Sequence, residues 1–415
     1  MNKVVKIIVL SLSIIGIIAT CIVCFAANQM PVNTILESSS KRVNVKEMGA
    51  VGDGIHDDTQ VIQEALDKAR KSNLTVYFPQ GTYLITKTLN IKFSAVSQVL
   101  LLGEGSDKTK LISSDSLLNE MINSSLSNGF SMQDISFDHQ GIGSCIEAWH
   151  LNAYRCSFTQ SDENDEDLVI FTGSNCRITE CSFNVKSKMA YAVCHSKRPD
   201  RYETSGIAIN SYIIDSSFMG VGNGIMINSV ENDNRVEGLK INGNIFTNSG
   251  EVQIMVETIF HCDISNNIMK ASGGSAIVLN PQGLLVDGLY ICSNDIQAAV
   301  AGVYEEVNSK PSTRVHISNN KFHDSKYGVF IQSSVGTMII DNNKMNNIET
   351  AGIFVEQTDE LIVTDNQISV ANNGDTIKIM SVDSKTVISG NLINKEMNNQ
   401  FTGGTIFEKE NTVKK

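Results

Sequence analysis

The chain is short of positive charge. Lys and Arg total 33 residues against 45 Asp and Glu in a chain of 415, which leaves a formal net charge of −12. A body with this excess of negative charge repels nucleic-acid phosphates and anionic membrane surfaces. We therefore expect no nucleic-acid partner and no membrane contact beyond the amino terminus. A polyanionic ligand would need a local basic patch.

Proline is scarce, and the cysteines lack the spacing of a metal site. There are 5 Pro against 30 Gly, and β-branched residues are plentiful, which suits many short strands joined by tight turns. Of the 9 cysteines, Cys21 and Cys24 belong to the amino-terminal segment, and the rest match no metal motif. We expect buried thiols that act as small apolar residues, with a Cys156–Cys181 bridge as the alternative.

A long apolar run opens the chain. Within residues 1–27, Lys3 and Lys6 precede an apolar stretch that ends at Ala27, as in a secretory signal peptide. Two alternatives stay open: an uncleaved anchor, since the stretch could just span a bilayer, and a lipoprotein processed at Cys21. All three possibilities predict that the rest of the chain is extracellular or on the outer face of the cell envelope. Residues 28–42 would form a linker.

From Leu151 onward the sequence repeats itself. Ten copies of an apolar/polar alternation each end in a small polar residue, a spacer and an apolar residue, at steps of 23 to 35 residues. The small polar residues are Cys156, Cys181, Ser216, Asn244, Asn267, Asn294, Asn320, Asn343, Asn366 and Asn391. A period in the twenties with short alternating strands indicates a solenoid.

A third strand follows in nearly every copy, as in GIAIN (206–210), GIMIN (224–228) and AGIFVE (351–356). Three strands per turn predict one all-β domain, a parallel β-helix of about ten to twelve coils. Its inward Asn side chains would bond from coil to coil as a ladder, which satisfies polar groups that would otherwise be buried alone.

Residues 43–112 follow a different pattern. A strand and a Gly-rich turn lead into a helix begun by Asp57 or Asp58. One apolar stripe of that helix holds Val61, Ile62, Ala65, Leu66 and Ala69. An amphipathic helix is one way to cover the end of a solenoid. We interpret 43–112 as cap and first coils, 113–398 as repeat coils and 399–415 as a tail.

The opening of this block carries a resemblance. VNVKEMGAVGDGIHDDTQVIQEAL (43–66) with VYFPQGTYLI (76–85) resembles the start of the pectate-lyase-superfamily domain found in rhamnogalacturonase-like and polygalacturonase-related enzymes and in phage tailspikes. The later coils resemble the right-handed β-helix repeats of the same group, so the likeness covers about residues 43–395. It implies a right-handed parallel β-helix and a polysaccharide substrate, as a monomer or a homotrimer. The Asn-Thr-Asp, Gly-His-Gly and Arg-Ile-Lys motifs of polygalacturonases are absent, which leaves the catalytic residues open.

The outer face of the third strands is the first candidate site. One predicted outward column is Ala208, Met226, Met255, Val278, Tyr304, Phe330, Phe354 and Lys378, and the next is Asn210, Asn228, Glu257, Asn280, Glu306, Gln332 and Glu356. Aromatic rings that stack on apolar sugar faces, beside amides that bind hydroxyls, are typical of a glycan site. We expect substrate contacts from Tyr304, Phe330, Phe354, Asn280 and Gln332.

Three carboxylates recur on that face at every second coil. Glu257, Glu306 and Glu356 would lie roughly 9.5 Å apart at the backbone, near the upper end of the carboxylate spacing of inverting glycosidases. These three are the candidate catalytic residues for hydrolysis. The alternative for the whole face is an oligomer interface or a surface covered by a loop.

The longest coil holds the second candidate site. Its insertion between Phe183 and Gly206 contains a basic cluster with His195, Arg198, Arg201 and Tyr202. A lyase acting on uronic acids must neutralise a carboxylate, a task for Arg198 or Arg201. It also needs a base or acid, a task for His195, Tyr202 or a desolvated Lys of the cluster, and we expect Tyr202 to contact the substrate. The alternative is a solvated loop that balances the acidic stretch 161–167, which itself offers oxygens for Ca²⁺.

These patterns predict a secreted polysaccharide-degrading enzyme. The reaction is lyase-type β-elimination on a uronic-acid-containing glycan, or glycoside hydrolysis. A non-catalytic cell-surface β-helix that binds glycan or partners is the alternative.

Overall fold

The computed structural model describes residues 41–91, 99–113, 118–124, 129–161, 164–197, 208–229, 236–248, 250–279, 285–306, 313–371, 373–402 and 404–413. They form a parallel β-helix of about 12 turns, with one short helix near the amino terminus. The described residues include no helix that is both long and apolar enough to cross a membrane.

Each turn contributes strands to three parallel sheets, which we call faces A, B and C. Face A consists of Leu89–Asn90, Ile122–Ser124, Ile146–Trp149, Val169–Thr172, Tyr191–Lys197, Asn223–Ser229, Val252–Val256, Ser275–Leu279, Ala301–Glu305 and Asn398–Thr402. Face B consists of Arg42–Asn44, Thr75–Tyr77, Val99–Leu102, Phe130–Gln133, Leu151–Tyr154, Arg177–Thr179, Ala208–Ile209, Tyr212–Ile214, Val236–Glu237, Lys240–Asn242, Ile259–Ser265, Val286–Cys292, Thr313–Ser318, Ser334–Asp341 and Thr405–Lys409. Face C consists of Asp53–Asp57, Gly81–Ile85, Thr109–Ser113, Ser136–His139, Ser157–Gln160, Ser182–Val185, Ser217–Gly220, Ile245–Phe246, Ile268–Ala271, Asp295–Ala298, Gln367–Val370, Leu392–Ile393 and Thr412–Val413. Three long strands turn corners between faces: Lys321–Ile331, Lys344–Thr364 and Asp375–Ser389.

The predicted Asn ladder lies at the turn between faces B and C. At each rung the backbone N–H and the side-chain amide both donate to the Oδ1 of the next rung, as from Asn294 to Asn320 at 2.9 and 3.0 Å. The same pattern runs from Asn244 to Asn391 and ends on Asn411, which the repeat analysis missed. The ladder gives buried amide groups partners within the coil stack.

Stacked aromatic rings fill the interior behind face C. Phe137, Phe158, Phe183, Phe218 and Phe246 lie one per coil with centroids 4.5 to 5.3 Å apart. Glycines at the start of face A strands make room for this interior. A Cβ built on Gly302 would lie 2.3 Å from Cδ1 of Phe322, which continues the column. The Gly-Ile pattern therefore has a packing cause.

The amino-terminal block contains the predicted amphipathic helix. The helix spans Thr59–Ser72 and buries Ile62, Ala65, Leu66 and Ala69. Asp58 precedes it, but its carboxylate accepts the N–H groups of Val51 and Gly52 at 2.7 and 3.0 Å and so holds the Gly-rich turn. The N–H of Thr59, the first residue of the helix, is instead accepted by Oδ1 of Asp57.

Two details differ from the sequence predictions, and one alternative is excluded. The face A strand of the long coil is Tyr191–Lys197. The segment Ala208–Ile209, which the sequence analysis assigned to that strand, pairs instead with Val236–Glu237 on face B. Ala208 and Asn210 therefore do not belong to the outward columns of face A. Residues 398–413 pair in parallel with the preceding coil and so form a further coil rather than a tail. Cys156 and Cys181 remain buried thiols, so the alternative of a bridge is wrong.

A histidine held between two carboxylates on face C, which we call the histidine clasp, predicts a pH effect on stability. His323 contacts Asp324 through Nδ1 and Asp295 through Nε2, both at 2.9 Å. Burial alone would lower the pKa of His323, but its bonds to these carboxylates outweigh burial and raise the pKa. The imidazolium therefore bridges two coils.

We expect wild type to be more stable than His323→Gln at low pH, by less than about 1 kcal/mol because the clasp is partly exposed. Since the folded-state pKa is raised above the unfolded value of about 6.5, this advantage is complete below that value and is lost as the pH rises through the folded-state pKa. Urea unfolding of both proteins across pH checks the trend. A difference that grows with pH would contradict it.

Candidate functional site on face A

The strand register places the predicted first column on the outside of face A. Met226, Met255, Val278, Tyr304, Phe330, Phe354 and Lys378 are successive partners in parallel pairs. Their chain neighbours on both sides, such as Val303 and Ile353, are buried in the core. The alternation therefore assigned the two sides of this sheet correctly from Met226 onward, although Val278 in the outward column is itself buried.

Four rings form an aromatic patch on this face: Tyr304, Tyr327, Phe330 and Phe354. Phe330 stacks on Phe354 with centroids 4.9 Å apart and also lies 4.9 Å from Tyr327 and 5.3 Å from Tyr304. The outer end of the stack is covered by Lys378, whose Nζ lies 4.8 Å from the Phe354 centroid. The rings are thus packed mainly on one another, and they offer a ligand their edges more than their faces. This differs from the expected stacking of sugars on open rings.

Polar groups surround the Tyr304 hydroxyl. It donates to Oε1 of Gln332 in the next coil at 2.8 Å. Burial raises the pKa of this phenol, and the nearby carboxylates of Glu306 and Glu356 raise it further. Glu306, Gln332 and Glu356 are each partly exposed, so the edge of the aromatic patch presents a hydroxyl, an amide and two carboxylates to solvent.

Glu257 differs from the other two glutamates. It follows the strand Val252–Val256, and its backbone N–H donates to the carbonyl oxygen of Ile227 at 2.9 Å. Burial, with no opposing contribution from a cation, raises the pKa of its carboxyl from 4.5 to about 7. A carboxyl of this kind keeps its proton at near-neutral pH, which is the property required of a general acid.

The three glutamates recur at every second coil, as the repeat predicted. Val256 pairs with Leu279 and Leu279 with Glu305, which sets Glu257 two coils from Glu306. Glu305 in turn pairs with Ile331 and Ile331 with Val355, which sets Glu306 two coils from Glu356. Parallel strands lie about 4.8 Å apart, so each pair is separated by roughly 9.5 Å at the backbone.

His195 does not belong to this surface, so its predicted acid/base role is wrong. It pairs with inward Phe171 and Ile227, and its side chain is 1% exposed. Its ring lies 4.5 Å from that of Phe171, and neither nitrogen has a hydrogen-bond partner among the residues that the structure describes. Burial lowers the pKa of this imidazole to about 4, so it is a neutral residue of the core.

Several predicted site residues lie outside the described residues: Arg198, Arg201, Tyr202 and Asn280. In the described part of the acidic stretch, Asp165 accepts the Ser187 hydroxyl and Asp167 accepts the N–H of Tyr191. No group of three or more His, Cys, Asp or Glu side chains that could hold a metal ion occurs among the described residues.

Sequence reasoning missed Tyr327. It lies three residues before Phe330, and its ring also approaches that of Phe354 at 6.1 Å. Its position at the start of the YGVFIQ segment (327–332) was a signal, since it is the aromatic residue that immediately precedes the strand glycine.

Comparison with known proteins identifies the family. Residues 42–274, more than half of the chain, match the family described as rhamnogalacturonase A/epimerase, pectate lyase-like. The chain belongs to this family of pectate-lyase-like proteins. Residues 290–413 match a right-handed β-helix region, which agrees with the coils described above.

The similar proteins differ in what their names describe. Mannuronan C5-epimerase AlgE5 of Azotobacter vinelandii is 26% identical over 269 residues, 59% of this chain and 24% of that protein. Plasmin and fibronectin-binding protein A of Streptococcus pneumoniae is 48% identical over 58 residues, 14% of this chain and 8% of that protein. The chain thus aligns with less than a quarter of either curated relative.

Among solved structures, the Agl-KA catalytic domain superposes with a TM-score of 0.50 at 13% identity, covering 91% of this chain and 69% of that one. This likeness shows the fold alone.

Proposed function

We propose that the protein is a glycoside hydrolase that acts on polysaccharide outside the cytoplasmic membrane, with face A as its active surface. Glu257 is the general acid and Glu306 the general base. Tyr304, Gln332 and Glu356 bind the adjoining sugar residues. The location rests on the predicted export segment, and the reaction rests on the two glutamates.

The reaction balances with these two groups. The protonated Glu257 carboxyl donates its proton to the glycosidic oxygen as the bond from the anomeric carbon to that oxygen breaks. The Glu306 carboxylate takes a proton from water, and the water oxygen bonds to the anomeric carbon from the opposite side. The anomeric configuration is inverted, and solvent later returns the proton from Glu306 to Glu257.

The observation that carries this proposal is the combination of spacing and burial at Glu257. The two residues are separated by roughly 9.5 Å at the backbone, a separation from which their side chains can reach the wider carboxyl spacing of inverting enzymes, with room for one water. The raised pKa of Glu257 supplies the proton at near-neutral pH. Two carboxyl groups in different environments are the usual basis for assigning acid and base.

The pH profile tests the assignment. If Glu257 must be protonated, kcat/KM should fall tenfold per pH unit above about 7, the pKa to which burial raises this carboxyl. Glu257→Gln should lose most activity on polysaccharide but keep it on an aryl glycoside whose leaving group needs no proton. A profile that stays flat to pH 9, or equal loss on both substrates, would contradict the role.

A second function is favoured by a specific observation. The rings of the aromatic patch are packed on one another, as in a stable contact surface, and part of the chain is similar to a plasmin- and fibronectin-binding protein. We therefore keep a non-catalytic surface protein as the alternative. Binding of glycan without release of reducing ends would support it. The elimination reaction depends on Arg198 and Arg201 and stays a prediction.

A further inference from the structure

One outward column of face B changes from polar to apolar along the helix. Parallel pairing aligns successive coils through Arg177, Tyr212, Lys240, Asp263, Tyr290, His316, Ile339, Ile362, Val387 and Phe407. The last four members are all apolar, and we call them the apolar stripe. Phe407 is 55% exposed, and the other three are partly exposed although their chain neighbours on both sides are buried. The stripe is therefore a continuous apolar strip on the outer side of four adjacent coils.

Polar side chains border the apolar stripe on both sides. The first rim lies two residues before each member of the stripe and consists of Thr337, Glu360, Lys385 and Thr405. The second rim lies two residues after each member and consists of Asp341, Thr364, Ser389 and Lys409. All eight side chains are at least partly exposed. An apolar centre inside a polar border is the usual composition of a protein interface.

The charges of each rim are arranged so that two copies of the chain complement each other. We propose that the apolar stripe and its rims bind a second copy of this chain around a two-fold axis parallel to the strands. Such an axis reverses the order of the coils and sets each rim opposite the same rim of the partner. Glu360 then faces the partner's Lys385 on the first rim, and Asp341 faces the partner's Lys409 on the second. Symmetry makes each of these contacts occur twice.

The apolar residues match in the same arrangement. Ile362 meets the partner's Val387, and Ile339 meets the partner's Phe407, so the four members of the stripe cover one another. Burying apolar side chains against each other supplies the attraction, while the rims determine the orientation. The dimer uses face B, so this inference is independent of the proposed function on face A. It departs from the monomer or homotrimer that the family resemblance implies.

The rim charges select one register for the two copies. A slide by one coil in one direction sets Glu360 opposite the partner's Glu360, and a slide in the other direction sets Lys385 opposite the partner's Lys385. Packing with the coils in the same order sets the first rim opposite the second, where neither carboxylate faces an ammonium group. Like charges at close range oppose binding. The reversed order is therefore the arrangement that the charges favour.

Contacts within the chain leave these charges accessible. Asp341 bonds to His316 at 2.6 Å and its side chain stays 33% exposed, and Lys409 contacts Glu410 at 2.9 Å while 74% exposed. Glu360 accepts the hydroxyl of Thr337 at 2.9 Å. Exposed pairs of this kind contribute little stability, so they compete weakly with contacts to a second copy.

The size of the patch sets the strength of the dimer. Four coils at about 4.8 Å and five residues at about 3.3 Å span roughly 19 by 17 Å. This is well below the roughly 800 Å² that each partner buries in a standard interface. We therefore expect a reversible dimer that forms at roughly 10–500 µM protein.

Charge reversal in the full chain tests the interface, with sedimentation velocity measured over roughly 5 to 500 µM protein. Glu360→Lys and Lys385→Glu each turn both first-rim contacts into like-charge contacts. An equimolar mixture of these two variants restores both contacts, because all four first-rim charges then face an opposite charge. Phe407→Ser removes the most exposed ring of the stripe without a change of charge.

Two controls carry the same substitution as Glu360→Lys elsewhere on the surface. Glu64→Lys lies on the cap helix, and Glu356→Lys lies on face A, where both side chains are at least partly exposed. All variants keep the same amino-terminal segment, so differences between them report on the altered side chain. Thermal melting of each variant should match wild type, since surface substitutions of this kind change stability little.

We expect wild type to approach the mass of a dimer at the highest concentration, and each of the three face B variants to weaken dimerisation by at least about tenfold. The mixture should form a heterodimer, and both controls should behave as wild type. A wild type that stays monomeric at every concentration, or dimerisation that Glu360→Lys leaves unchanged, overturns the inference. Failure of the mixture to recover the dimer overturns the reversed order of the coils. Loss of the dimer in Glu356→Lys would move the interface to face A and also overturns it.

Discussion

Changing Glu306 to Gln should lower kcat on the polysaccharide substrate by about 10²–10⁴-fold. Glu306 is the glutamate shared by both pairs on face A, two coils from Glu257 and two coils from Glu356. An amide of the same shape keeps its hydrogen bonds to sugar but cannot accept the proton of the attacking water. KM should change little, and kcat and KM from initial rates of reducing-end release provide the measurement.

Glu356→Gln is the matched control for this prediction. It removes the same charge on the same column, but on the far side of the Tyr304 hydroxyl, so we expect a higher KM and little change in kcat. Both variants should melt at the wild-type temperature, because the two side chains are partly exposed. If Glu306→Gln keeps wild-type kcat, or if Glu356→Gln loses more, the base is assigned to the wrong glutamate.

Changing Asn320 to Leu should cost about 2–4 kcal/mol of unfolding free energy. The Asn320 side chain is buried, donates to the carbonyl oxygen of Ile291 at 2.8 Å and to Oδ1 of Asn343 at 3.0 Å, and accepts from Asn294. Leucine has the same branched arrangement of side-chain heavy atoms but is larger and has no polar atoms. It therefore leaves the ladder groups above and below without partners inside the coil stack.

The control for the ladder is Asn346→Leu. Asn346 lies in the next coil and its side chain is exposed, so the same substitution should change stability by no more than about 0.5 kcal/mol. Urea unfolding of wild type and both variants supplies the comparison. Equal effects of the two substitutions would mean that the ladder does not stabilise the coils.

Most of the fold could be predicted from the sequence, because one structural unit recurs along the chain. Asn320 and its equivalents mark one turn of every coil, and the two-residue alternation around them assigns inward and outward sides. The long coil is where this reasoning went wrong. GIAIN (206–210) has the same alternation as GIMIN (224–228), whereas YAVCHSK (191–197) has little alternation and yet forms the strand.

The site was predicted less completely, for a physical reason. Strand register determines which residues lie in one column, so the alternation in the sequence was enough to predict that Tyr304, Phe330 and Phe354 lie side by side on face A. His195 failed because residues 191–197 were assigned to an inserted loop, whereas they form a strand in which His195 is buried in the core. The desolvation of Glu257 and the mutual packing of the rings depend on neighbours from other coils, which no local pattern contains.

One assay tests the central claim most directly. The full chain is incubated with neutral and uronate polysaccharides while reducing ends and the absorbance of unsaturated uronate are recorded together. The account predicts that reducing ends appear from at least one polymer with no rise in absorbance. Unsaturated product from a uronate polymer would establish elimination and contradict it, and no product from any polymer would leave face A a binding surface.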